Sequence, residues 1–326
     1  MATPHTHAAT PGHEACSGCS LCLLACPVWR ATRDIRLTPH GRAKAIQNGV
    51  AVLELAESID ACTLCGACEP ACPENIPLVD AVQQLRKQLA GLSPERDALL
   101  KTLLDQHVVV NHRQGSASET LLVPDRALAE HPAMTERALK LSAGRPMGMA
   151  GDIGADIALM LESGTPVPGE RLQRFLDPLQ KVGRLVVGDG LLLRALRTWL
   201  PGKPIDGFGF AATSVANVRR SLGQDDFYVI ESRAFHSDWE RLVLHYDALR
   251  VESGCAMNLD LQRLAIPTTA GSLPALTGKN RVDVHDQARW ILDGREFSRI
   301  VVEDFNDIAI FNAVTDKPVV HLAELR

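Results

Sequence analysis

Eight of the nine cysteines lie between residues 16 and 72, in two runs of one design. The first is Cys16-Ser-Gly-Cys19-Ser-Leu-Cys22-Leu-Leu-Ala-Cys26-Pro27, the second Cys62-Thr-Leu-Cys65-Gly-Ala-Cys68-Glu-Pro-Ala-Cys72-Pro73. Both read C-x2-C-x2-C-x3-C-P. Three thiolates two residues apart wrap a tight loop around one face of an iron–sulfur cube, and the fourth points away to the cube of the other run. The spacing predicts two [4Fe–4S] clusters. Cys16, Cys19, Cys22 and Cys72 are expected to hold one; Cys62, Cys65, Cys68 and Cys26 are expected to hold the other. Structural zinc is the competing reading, since it also takes sets of four cysteines. A zinc ribbon, however, uses two CxxC pairs and gains nothing from a third cysteine and a fourth before proline.

The residues around the cysteines suit the cluster reading. Ser17, Gly18, Gly66 and Ala67 are small enough for backbone N–H groups to approach the sulfides, contacts that tune reduction potential. Leu21, Leu23, Leu24 and Leu64 are expected to exclude water, and Pro27 and Pro73 to turn the chain out of each loop. Glu69, in one loop only, hints that the two sites differ. Between the runs, His40–Ala61 carries a helical apolar pattern broken at Gly49. After them, Leu78, Val82, Leu85 and Leu89 predict a helix opening near Pro77 and ending at Gly91. Long helical insertions of this kind point to an α-helical ferredoxin-type domain. Arg30, Arg33, Arg36 and Arg42 form either a docking face for an acidic partner or an ordinary solvated face.

Charge and composition narrow the function. With 34 basic against 39 acidic residues the net charge is -5, so no basic footprint for nucleic acid or anionic lipid exists. Aromatic residues are 4% of the chain, too few for base-stacking platforms. Each oxidised cube with its thiolates adds about -2. No basic-then-apolar leader opens the sequence, and no apolar run reaches the roughly 18–20 residues that span a bilayer. The expected location is cytoplasmic, where clustered thiols stay reduced, with membrane association only through a partner.

From about Ser93 the pattern changes to strand–helix alternation, which predicts mainly parallel α/β structure. Expected strands are His107–Val110, Arg184–Val187, Phe227–Ile230, Leu264–Thr268, Arg299–Val302 and Pro318–His321. Expected helices include Glu170–Leu179, Leu191–Leu200, Val282–Leu292 and Asp304–Val314. Arg184-Leu-Val-Val-Gly-Asp189 and Arg299-Ile-Val-Val-Glu-Asp304 open similar units, and 299 minus 184 gives an offset of 115. The fold class is therefore α plus α/β: a ferredoxin-type domain over 1–92, then two related lobes over 93–215 and 216–326. Gly207-Phe-Gly209-Phe-Ala-Ala212 fits a dinucleotide fingerprint with Glu231 downstream, but the two prolines before it make a poor strand. His236, His245 and His285 lie at no catalytic spacing and are expected at the surface or in packing. His5, His7 and His13 suggest an adventitious metal binder at most, and Cys255 is a solitary thiol.

The N-terminal part, with both runs and Cys72-Pro-Glu-Asn-Ile-Pro-Leu, resembles the helical ferredoxin domain shared by a group of iron–sulfur subunits. These are the iron–sulfur subunits of heterodisulfide reductase, glycerol-3-phosphate dehydrogenase, glycolate oxidase and the lactate-utilisation system. The following region resembles the duplicated cysteine-rich (CCG) domain of the longer members, and its ending from Ile300 to Leu325 is similar to their last strand–helix–strand. In those subunits each lobe supplies paired cysteines. Here the corresponding strand ends carry Gly188-Asp189 and Glu303-Asp304, with only Cys255 near a family position, so disulfide chemistry does not carry over. The resemblance implies an electron-transfer subunit with no catalytic residue of its own. It would work between a flavoprotein dehydrogenase or oxidase subunit and an acceptor: a quinone-linked protein, an electron-transfer flavoprotein or a ferredoxin. The alternatives are a self-contained oxidoreductase with a flavin or dinucleotide site in the lobes, and a redox-sensing interaction module.

Overall fold

The computed structural model describes residues 12–106, 119–141 and 146–325. Helices Pro27–Thr32, Pro39–Gln47, Ala56–Ala61 and Leu78–Leu89 build the first part. Thr38 caps the second of them by accepting the Gly41 N–H at 3.2 Å, and Pro39 sits in the first turn, where a missing N–H costs nothing. Gly49, at φ +77°, makes the expected break. Leu78–Leu89 has the predicted face, burying Leu78, Val82, Leu85 and Leu89. A further helix runs from Pro94 to Gln106.

Parallel sheets follow. Strands β1 (Thr120–Val123), β2 (Gly148–Met149), β3 (Arg184–Val187) and β4 (Ile205–Gly207) form one in the order β2-β1-β3-β4. Strands β5 (Asp226–Val229), β6 (Ala256–Met257), β7 (Arg299–Val302) and β8 (Val319–His321) form another in the order β6-β5-β7-β8. All their pairings are parallel. Both faces of each sheet are buried, which is why the strands read as apolar runs instead of alternating. Leu121, Val123, Leu185 and Val187 pack with Phe175, Leu192 and Leu196. Phe227, Val229, Ile300 and Val302 pack with Ala288, Ile291 and Phe311. The inner faces share one core, in which Leu122 and Val186 join Tyr228 and Val301. Burying each such side chain stabilises the fold by about 1.5–3 kcal/mol, so the two sheets stand as one body.

Several expectations need correction. Leu264–Thr268 is no strand: Asp260 accepts the N–H groups of Gln262 and Leu264 (2.9 and 2.8 Å), which bends the chain into a turn. Ala265 makes only an antiparallel bridge to Leu259, and Ala256–Met257 takes the place beside β5. The segment disfavoured by its prolines does end in a strand, β4. It lies at a sheet edge, where proline is tolerated, and the Pro204 carbonyl still accepts from Leu185 N–H at 3.0 Å. Strands β1, β2 and β6 are additional to those expected, and the expected strand His107–Val110 lies outside the described residues. Arg42 is no docking residue. It is 1% exposed and donates to the Leu37 and Ser58 carbonyls at 3.2 and 2.8 Å. Arg36 is engaged by Asp34 at 2.6 Å.

Candidate metal centre

The two cysteine loops fold alike. Each holds two residues in the left-handed region at equivalent places: Gly18 (φ +86°) and Ser20 (φ +67°), then Leu64 (φ +53°) and Gly66 (φ +77°). Reversing the hand of the backbone in this way curls N–H groups inward, making the concavity that receives anions and iron–sulfur clusters. A non-glycine residue there costs about 1–2 kcal/mol, which Leu64 offsets with a side chain only 1% exposed. At Gly66 no side chain fits, since a Cβ would lie 2.9 Å from the Cβ of His236. Pro27 opens the helix after Cys26 and makes that cysteine its N-cap.

The thiols gather in two groups. Burial first, and then the neighbouring Cys16, Cys19 and Cys72, together push Cys22 up to about 11. Burial also raises Cys26 to about 11, Cys65 to about 12 and Cys68 well above its usual value; the thiols acting on one another there are Cys62, Cys65 and Cys26. Each group takes three cysteines from one run and the last from the other. Backbone N–H groups of Trp29 and Val28 favour the charged form of Cys26, and that of Ala67 favours it for Cys65. Cys26, Cys62, Cys65 and Cys68 line one cavity, walled by Leu64 and Val79.

This donor set fits the cube. Buried thiolates repel one another and are costly without cations among them, and the irons of a cube supply that charge. Among the described residues no three His, Cys, Asp or Glu side chains sit as ligands of a single ion. A cube does not ask them to, because each thiolate binds a different iron.

The two sites differ in their surroundings. Arg42 lines the second cavity. Arg86, 0% exposed, donates to the carbonyls of Cys62 (2.5 Å) and Ile59 (3.2 Å) in the N-terminal part and Glu162 (2.5 Å) in the α/β part. In the first group Cys19 is exposed and the other three thiols half-buried. The leucines divide likewise. Leu64 excludes water as expected, whereas Leu21 and Leu24 are 45% and 68% exposed because the helical turn Cys22–Ala25 runs along the surface.

The α/β part grips the second loop. His236 Nδ1 lies 2.8 Å from the Cys65 carbonyl, and burial pushes the ring down to about 4, so it is neutral and donates from Nδ1. Arg233 donates to the Thr63 carbonyl at 2.8 Å and pairs with Glu162 at 2.5 Å. Arg194 pairs with Glu69 at 2.7 Å and Asp80 at 3.0 Å. None of the three stands in a motif, so spacing had no means of marking them. His245 contacts Thr213 Oγ1 at 2.8 Å, His285 is half-buried, His13 is buried, and His5 and His7 lie outside the described residues.

The carboxyl ends of β1, β3, β5 and β7 are each followed, two residues on, by an acid: Asp125, Asp189, Glu231 and Asp304. Each accepts a backbone N–H where the next helical segment starts: Leu128 (2.9 Å), Leu192 (2.7 Å), Arg233 (2.9 Å) and Asn306 (2.9 Å). All four line one cavity, together with Cys65. Burial raises all four, Glu231 to about 8. The glycine fingerprint serves packing instead. A Cβ on Gly209 would overlap the carboxyl group of Glu303, which accepts from Tyr228 (2.7 Å) and Tyr246 (2.5 Å). Cys255 is buried, its Sγ accepting from Ser253 at 3.0 Å.

A family model described as a 4Fe-4S dicluster domain matches residues 12–76, the stretch that holds both loops. The chain is an iron–sulfur protein with two [4Fe–4S] clusters. No curated protein and no solved structure matches it. Among the described residues no helix is long and apolar enough to cross a membrane.

Two outcomes follow from the electrostatics. Cationic Arg42 stabilises the reduced, more negative form of the neighbouring site. Arg42→Gln is expected to lower one of two midpoint potentials by on the order of tens of millivolts and spare the other, with partial rescue by Arg42→Lys, read by redox titration with electron paramagnetic resonance. Glu231 keeps its proton in the fold up to about 8 but loses it near 4.3 when unfolded. The stability this proton contributes is present at low pH and lost as pH rises towards the folded value. Glu231→Gln retains a capping oxygen and should gain thermal stability over the parent progressively from pH 5.5 to 8, then level off. An advantage that shrinks with rising pH would contradict burial of this carboxyl.

Proposed function

We propose that the chain is the electron-relay subunit of an oxidoreductase complex, passing electrons from a flavoprotein dehydrogenase or oxidase subunit to a quinone-linked protein, an electron-transfer flavoprotein or a ferredoxin. The observation that carries this is the grouping of the thiols, which supports an exchange of fourth ligands: Cys16, Cys19 and Cys72 act on Cys22, and Cys62, Cys65 and Cys26 act on Cys68. Chains that share ligands in this way hold two centres close together, the arrangement a relay needs. The clusters supply one-electron storage when bound. The protein's residues do the rest. Eight thiolates fix the positions, inward N–H groups and the buried Arg42 and Arg86 set the charge balance, and Leu64, Val79 and Val82 keep water from the second site.

In this reading the α/β region is a scaffold built from two copies of one unit, as in the heterodisulfide reductase and glycolate oxidase type of iron–sulfur subunit. The shared strand order supports it, as do the four equivalent acids after β1, β3, β5 and β7. Of these, Asp189 and Asp304 stand at strand ends where the resembling subunits carry paired cysteines, so no further cluster is expected there. A cytoplasmic site of action, with membranes reached only through a partner, completes the reading.

Protein purified without oxygen should carry about eight irons and a broad band near 400 nm that bleaches with dithionite; zinc in their place would sink the proposal. The ligand exchange has its own test. Cys72→Ser should perturb the same paramagnetic signal as Cys16→Ser and leave the signal perturbed by Cys68→Ser intact, while Cys255→Ser leaves the iron content unchanged.

A further inference from the structure

We propose that the groove between helix Pro27–Thr32 and the turn 259–267 is the docking site for an electron-transfer protein whose contact face carries carboxylates around an apolar centre; the proposal rests on the relay reading. Cys26 lies in the wall of this open groove. The same Cys26 lines the cavity of the second cysteine group, so a single residue separates that site from the groove.

The lining has the composition of a recognition surface. Leu24 is 68% exposed, Leu261 99% and Trp290 43%, an apolar cost that a free surface gains nothing by keeping. The cations are Arg30, Arg33 and Arg295. Arg30 lies 4.6 Å over the Trp290 ring and donates to Gln287 at 2.9 Å; Arg33 lies 5.7 Å over the Trp29 ring; Arg295 donates to the Met257 carbonyl. None of the three forms an ion pair among the described residues. Among the described residues the one acid in the lining is Asp260, which is occupied by the N–H groups of Gln262 and Leu264. In a chain of net charge -5, made more acidic by its clusters, this is a local reversal of sign. Stacked arginines lose little freedom on binding a carboxylate, and exposed charges beside an apolar centre steer and orient a complementary partner.

The test uses the full-length, cluster-loaded protein and photoreduced flavodoxin, an acidic carrier, as probe, with reduction followed as bleaching of the visible band in a stopped-flow instrument. The wild-type rate constant should fall steeply with salt. The double variant Arg30→Gln, Arg33→Gln should be slower by about tenfold at low ionic strength and match wild type at about 0.5 M salt. Leu261→Ser, at a solvent-exposed position, should slow transfer severalfold without changing the salt slope. Arg36→Gln, outside the groove, should stay within twofold of wild type. Wild-type rates in the groove variants at low salt would overturn the docking site, as would an equal loss in Arg36→Gln. A dimer in sedimentation that Leu261→Ser dissolves would overturn it too, because a second copy would then occupy the groove. Failure of dithionite to bleach the wild type would instead remove the relay reading beneath it.

Discussion

Eight thiolates in two short loops carry more negative charge than a protein interior tolerates unaided, and the rest of the molecule is arranged around that fact. Two oxidised cubes would offset about half of it, since each with its four thiolates still carries about -2. The protein adds inward backbone N–H groups, the helix start after Cys26 and two fully buried arginines, Arg42 and Arg86. Because those arginines serve one group of cysteines while Cys19 of the other stands exposed, the two sites are unequal by construction. Inequality of this kind gives a relay a direction, since an electron rests where the surrounding charge is more positive.

Arg86 also explains why the α/β region belongs to the site. Its guanidinium bonds carbonyls of Ile59, Cys62 and Glu162, and Glu162 in turn holds Arg233, which reaches back to Thr63. A removed partner would leave a charge stranded in the interior, which typically costs about 3–5 kcal/mol. The second cysteine loop is thus clamped from both directions, with His236 as a further contact on Cys65. A rigid loop suits electron transfer, because a site that keeps its geometry changes charge with little reorganisation.

The legible parts of the sequence were those ruled by local spacing. The cysteine runs, the Leu78–Leu89 helix and strands β3 and β7 follow with their bounds from a repeat that the chain displays by itself. The failures share one cause. Leu264–Thr268 has strand composition but lost to the turn around Asp260, and β4 formed despite its prolines because a free sheet edge was waiting for it. Arg42 looked like a surface cation until the fold closed over it.

The sequence by itself determined the metal chemistry, since thiolate spacing dictates how a loop can wrap a cube, and it determined the alternation of strands and helices that makes a parallel sheet. Only the tertiary structure decided what surrounds the thiols. Which arginines are buried, which histidine meets Cys65, and that Leu24, Trp290 and Leu261 frame one groove depend on contacts between residues far apart in the chain. Such contacts are set by how sheets and helices share a core, and no local pattern records them.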